Sequence, residues 1–221
     1  MDAFLKKCIN NPDNLSKIGH GVNKRCYLYN GDLTYVLLCV KAQKKDLLED
    51  EIKQLKYFSS LGIFVPDIGE LTPFNILGED YATVESFIDG FEIARENGYA
   101  FRNEDIESFA NEICKSILGC NSQNANNIFN QALKSMQKLK YVFDSNKDFD
   151  IPDLQFRFSK VNGIIYVVDP GYSKGYGINR DKHLEWINII LKKIGDTDYL
   201  NREWKKKNSS KENIFVITEA N

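Results

Sequence analysis

The sequence predicts an α+β fold: a small antiparallel β part holding one helix, then a mainly helical part that carries a single β-hairpin. Three observations predict it. Residues 16–41 read as strands broken by an Asn30-Gly31-Asp32 turn. From Asn103 onward, apolar residues recur at helical spacing instead. Inside that helical stretch Phe156 and Phe158 alternate with Arg157, Asn162-Gly163 supplies a turn, and 164–168 is a β-branched run, the pattern of a hairpin.

Element by element, Lys17-Ile18-Gly19-His20-Gly21 leads into the strand Arg25-Cys26-Tyr27-Leu28-Tyr29, and the run 35–40 gives the next strand, which Lys41 ends. Asp46 reads as an N-cap with Glu49 three residues on. Leu48, Ile52 and Leu55 then mark a helix stripe, with Leu47, Glu51 and Phe58 on the adjacent face. Glu51 therefore borders buried surface, where an acid needs a cationic partner. Lys41 on the preceding strand is the natural candidate. Residues 66–71 and 81–87 read as two further strands joined by the turn-rich Thr72-Pro73-Phe74-Asn75, and Asp89-Gly90 closes the β part.

Ile106, Phe109, Ile113 and Ile117 mark the first helix of the second part. The polar run 121–127 reads as a loop, and a second helix spans about 128–143. Asp181 caps a third, with Leu184, Ile187, Leu191 and Ile194 inward and Gly195 closing it. Residues 199–207 read as a last short helix. The expected division is 1–88 and 89–221.

Composition excludes several classes. Of 221 residues, 43% are hydrophobic and 27% charged, with a net charge of −2. That balance leaves no electrostatic footprint for nucleic acid or an anionic membrane. Five scattered cysteines without a C-x-x-C pair, beside two histidines, speak against a zinc framework and suit a reducing compartment. No apolar run approaches a membrane span, and the first ten residues lack the apolar core of a cleavable secretory signal.

The chemistry concentrates around the hairpin. With Asn162 and Gly163 as the two loop residues, Val161 faces Ile164 and Gln155 comes out opposite Pro170. Asp169 is then a cross-strand neighbour of Gln155, about 5–8 Å away. A carboxylate and an amide oxygen at one hairpin end suit magnesium, or manganese, which take oxygen ligands. Asp148, Asp150 and Asp153 stand in the loop before the hairpin. Taken alone they read as a solvated turn, since turns are rich in Asp for local reasons. Gly19-His20-Gly21 precedes a strand rather than a helix, which speaks against a dinucleotide fingerprint or a Walker loop and fits a glycine-rich loop laid over nucleotide phosphates.

In this order, a Gly-x-Gly hairpin, a strand-end lysine, a helix glutamate, an acidic loop and Asp-x-Gly, the chain resembles a minimal bilobal protein kinase over roughly residues 18 to 194. The resemblance makes 1–88 the N-lobe and 89–221 the C-lobe. It implies that Gly19 and Gly21 cover the phosphates of ATP, with Lys24 where a third glycine would be. It further implies that Lys41, held by Glu51, contacts those phosphates, and that Asp169 holds magnesium bridging them. Val84-Glu85-Ser86-Phe87 stands at the hinge, so Glu85 and Phe87 would hold adenine. The kinase motif has a base Asp followed five residues later by a metal-binding Asn. Asp150 fits with Gln155, an amide with the same oxygen ligand on one more methylene. Asp153 is the alternative base. Pro170 replaces the usual Phe of Asp-Phe-Gly, and no Ala-Pro-Glu triplet follows, which points away from gating by phosphorylation at Tyr172, Ser173 or Tyr176.

The chain resembles the HopBF family of type III secreted bacterial effector kinases. That resemblance implies a Ser/Thr protein kinase delivered into the host cytosol, acting on the eukaryotic ninety-kilodalton heat-shock chaperone and inactivating it. Two other readings stand beside it: a small-molecule phosphotransferase of the aminoglycoside-kinase type, and a pseudokinase that keeps the fold as a binding module. Lys24, Gln155 and Pro170 feed the last of these, while the survival of Lys41, Glu51, Asp150 and Asp169 together speaks against it.

Overall fold

The computed structural model describes residues 1–20, 24–93, 101–149, 151, 154–168, 170 and 180–207, apart from the side chains of Gly19, His20 and Ser122. It is α+β, as the two hydrophobic periods predict. Strands β1 (Leu15–His20), β2 (Arg25–Tyr29), β3 (Asp32–Val40), β4 (Thr72–Ile76) and β5 (Glu79–Ser86) form an antiparallel sheet in the order β1-β2-β3-β5-β4. Strands β6 (Gly90–Glu92), β7 (Gln155–Ser159) and β8 (Ile165–Val168) form a second, in that order.

Alternation along β3 decides what each face of the larger sheet meets. Leu37 and Cys39 join Tyr27, Tyr29, Ala82 and Val84 on one face, and helix α1 (Asp2–Asn10) covers it with Phe4 and Cys8. Val40, on the other face, packs with Leu48 and Ile52 of helix α2 (Lys45–Ser60). Val36 and Leu38 share that second face and look toward the smaller sheet.

Helices α3 (Asn103–Gly119), α4 (Ser122–Ser145), α5 (Arg180–Ile194) and α6 (Thr197–Lys207) build the main core with the inner face of the smaller sheet. Trp186, Phe129, Phe143, Phe156 and Phe158 are fully buried there. The hairpin is tied on both sides. Ser135 of α4 accepts the Ile165 N–H at 3.1 Å, and Phe64, in the link after α2, accepts the Val167 N–H at 2.9 Å. These bonds fix the hairpin against both halves of the molecule.

Five local expectations are corrected. Helix α1 has no counterpart in the sequence reading. Residues 66–71 do not form a strand: Ile68 makes only an isolated bridge to Glu85, and 72–76 is the strand instead. Phe74 is buried there, Pro73 is tolerated because β4 is an edge strand, and the turn falls at Leu77-Gly78, both at positive φ. The polar run 121–127 is helical, because the Asn121 side chain caps α4 by accepting the Asn124 N–H at 3.0 Å. Asp46 and Asp181 lie in the first turns of their helices rather than at the caps. Finally, Gln155 pairs with Val168, not Pro170, so the register is shifted by two residues and the hairpin loop is two residues longer than expected.

Candidate active site

A cleft of about 490 Å³ lies between the two sheets. Ile18 of β1, Cys26 of β2 and Val36 and Leu38 of β3 form its wall on the larger sheet. The connection Glu85-Ser86-Phe87-Ile88 lines it at the back, and Phe91, Glu92, Gln155, Arg157 and Val168 line it from the smaller sheet. The wall is apolar because Val36 and Leu38 share one parity of a strand buried on both faces.

The charged groups sit where register puts them. Cys26 pairs with Leu38 and Arg25 with Cys39, so Lys24 comes opposite Val40 by extension of the same ladder. Lys24 shares the parity of Cys26 and lines the cleft. Its Nζ lies 2.5 Å from Glu51 Oε1, with side chains only 19% and 10% exposed. Glu51 thus has the cation its buried position demands, and that cation is Lys24. The expected Lys41–Glu51 pair is not what the structure holds. Lys41 is exposed, one residue past β3 and on the parity of Leu37 and Cys39. Its Nζ lies over the β4–β5 turn, 3.6 Å from where a Cβ on Gly78 would be. Lys41 is not among the residues lining the cleft.

At the back, Glu85 and Phe87 both line the cleft, as the hinge expectation requires of their location. The Phe87 N–H, however, donates to Thr34 O at 2.9 Å, so that donor is engaged within the chain. Arg157 stands 5.9 Å from the Phe87 ring centre and pairs with Glu92 at 2.6 Å. This places a paired guanidinium on the cleft floor, which the sequence reading missed. Burial pushes the Cys26 thiol up to about 11, and the nearby Glu85 carboxylate adds to the shift.

Of the remaining expected residues, Gly19 lies in β1 paired with Cys26, next to a bulge after Lys17. Gln155 opens β7 on the cleft floor. Gly21, Asp150, Asp153 and Asp169 lie outside the described residues. Their described neighbours are firmly held: Phe149, Ile151, Leu154 and Val168 are all buried. Phe149 packs edge-on against Phe143 of α4 at 5.0 Å and Phe58 of α2 at 5.6 Å. Among the described residues no group of three or more His, Cys, Asp or Glu could hold a metal ion, and no helix is long and apolar enough to cross a membrane.

No protein-family model matches the chain, and no curated protein does. Among solved structures, the chain is similar to an aminoglycoside 2′-phosphotransferase of type IIIa in its GDP complex, 12% identical over 94% of this chain and 98% of that one, with a TM-score of 0.35. It is also similar to a type IIIa aminoglycoside phosphotransferase in complex with GDP and kanamycin, 15% identical over 93% of this chain and 87% of that one, with a TM-score of 0.34. At these scores they are distant likenesses, and no assignment rests on them.

Proposed function

We propose that the chain is a kinase-like phosphotransferase that binds a purine nucleotide between its two sheets and transfers the γ-phosphoryl group to a hydroxyl. One observation carries this reading: a single cleft collects the segments that the kinase resemblance assigns to nucleotide binding. Ile18 beside Gly19, Glu85 and Phe87, Gln155, and Val168 immediately before Asp169 all line it. An apolar slot with a few convergent polar groups is the usual form of a cofactor site.

The division of labour follows from residue chemistry. Apolar Val36 and Leu38 would exclude water from one face of the base. Asp150, between the buried Phe149 and Ile151 in sequence, would take the proton of the acceptor hydroxyl, with Asp153 as the alternative. Gln155 and Asp169 supply the hard oxygen donors that magnesium takes. Held by these residues, a magnesium ion would supply charge neutralisation during the transfer. In the hairpin Gln155 pairs with Val168, the residue that precedes Asp169 in sequence.

For the acceptor, the reading is a Ser/Thr residue of a protein. By resemblance to the HopBF effectors it is the host ninety-kilodalton heat-shock chaperone, reached by type III secretion into the host cytosol. The short joints support a protein acceptor over a small molecule. Two residues separate α3 from α4 and two separate α5 from α6, so no further helical insert stands there to wrap a small substrate. The experiment is transfer of labelled γ-phosphate from Mg-ATP into a eukaryotic lysate and, separately, into a panel of aminoglycosides, beside an Asp169→Ala control. A dominant protein band near ninety kilodaltons, absent with the control, is the expected result. Labelled aminoglycoside without labelled protein would replace this acceptor with a small molecule. No transfer by a folded, nucleotide-binding chain would make it a binding module.

A further inference from the structure

We infer that Lys24, anchored by Glu51, is the cation that holds the nucleotide's phosphates, in place of Lys41. The inference rests on reading the cleft as the nucleotide site. Lys24 lines that cleft, and it shares the strand parity of Cys26, whose neighbour across the ladder is the cleft-wall residue Leu38. Extended by one pair, the ladder sets Lys24 against Val40. A lysine on β3 with the parity of Val36 and Leu38 would have to stand at that position. Val40 fills it instead, packed under α2 against Leu48 and Ile52. The neighbouring strand thus supplies the ammonium group that β3 lacks on its cleft face.

Glu51 gives the lysine its aim. It sits on the buried side of α2 at 9% exposure, and its carboxylate meets Lys24 Nζ at 2.5 Å. A charge-assisted bond of this length, largely shielded from solvent, restricts a side chain that would otherwise sample many rotamers. An ammonium has three donors. An ammonium held by a carboxylate can therefore also meet phosphate oxygens, and Lys24 lines the cleft where they would lie. Lys41 offers no such arrangement, because it is exposed, follows the other parity and lies over Gly78.

Lys24→Met, Lys24→Arg and Lys41→Met in the full chain separate the possibilities, with binding of ADP and of adenosine measured for each alongside its melting temperature. The expected result is that Lys24→Met weakens ADP binding at least about tenfold while adenosine binding holds, because only the phosphates lose a contact; its melting temperature should fall, since Glu51 loses its cation. Lys24→Arg should recover part of the loss, and Lys41→Met should leave ADP binding unchanged. Loss of ADP binding in Lys41→Met with Lys24→Met unaffected would overturn the inference and leave the nucleotide site standing. Equal loss of ADP and adenosine in Lys24→Met would overturn it too, making the lysine a structural support. If the unaltered chain binds neither ligand, the cleft itself is not a nucleotide site and both readings fall.

Discussion

Arg25 on β2 pairs with Glu79 at the start of β5, reaching across β3, which lies between those two strands in the sheet. Glu79 is 2% exposed, and its carboxylate depends on a guanidinium that is itself half open to solvent. Removing the arginine alone leaves a buried acid without compensation, a heavier loss than removing both charges. Arg25→Ala should therefore lower the melting temperature more than Arg25→Ala combined with Glu79→Gln. A thermal-unfolding double-mutant cycle reads this directly; equal melting temperatures would mean the carboxylate finds water or another cation.

Gly90 holds the cleft floor together by having no side chain. A Cβ at this position would fall 1.7 Å from the carbonyl oxygen of Phe158, on the strand that β6 pairs with. No rotamer relieves such an overlap, because both partners are backbone. Gly90→Ala should therefore push β6 off β7 and cost about 2–3 kcal/mol in chemical denaturation. It should also weaken nucleotide binding, since Phe91 and Glu92 move with the strand. Gly119→Ala, with open space around its Cβ position, is the matched control.

How much of this was legible depends on how much each signal came from local chemistry. The first three strands and the helix stripes of α3 and α5 follow from alternation and spacing that survive in any tertiary context. Hairpin β7–β8 was legible from Asn162-Gly163, but its register was not. Ser159 closes a four-residue loop by bonding both ways with Ile164 and Gly163, and its hydroxyl accepts the Val161 N–H. That arrangement is invisible in a turn dipeptide. Helix α1 escaped notice because nine residues do not hold a helix alone, and packing of Phe4 and Cys8 on the sheet supplies its stability. The expected Lys41–Glu51 pair was misplaced for a related reason. Residues 36–40 are apolar on both faces, so period alone cannot say which parity faces the cleft. The usable signal was that Lys24 and Cys26 share a parity.

The start of α3 is fastened by one carboxylate. Asp105 accepts the Arg102 N–H at 2.8 Å and pairs with its guanidinium at 3.2 Å. Arg102, through its side chain and then its amide, holds the Asp105 carboxyl below the usual carboxylate range. A lowered folded-state value stabilises the fold while the group is ionised, and that stability is lost as pH falls through it. Asp105→Ala should cost about 1 kcal/mol at neutral pH. The gap between variant and parent should stay constant above the ordinary carboxyl value near pH 4 and close below it. Denaturation at a series of pH values measures the gap; one that does not change would assign the loss to packing.

Cys26 offers a reporter inside the cleft. Alkylation needs the thiolate, and burial, reinforced by Glu85, holds this thiol's pKa near 11. At pH 8 the reactive fraction is then about one in a thousand, and it rises about tenfold for each pH unit. Iodoacetamide should modify Cys26 slowly in the folded chain, with a rate that climbs through pH 7 to 9 without levelling off. A nucleotide lying against Leu38 and Val36 would cover the same wall. ADP should therefore slow modification of Cys26 while leaving Cys120, which does not line the cleft, at its own rate. Peptide mapping by mass spectrometry distinguishes the two sites. Protection of neither would place the ligand away from this wall, and equal protection of both would signal tightening of the whole fold.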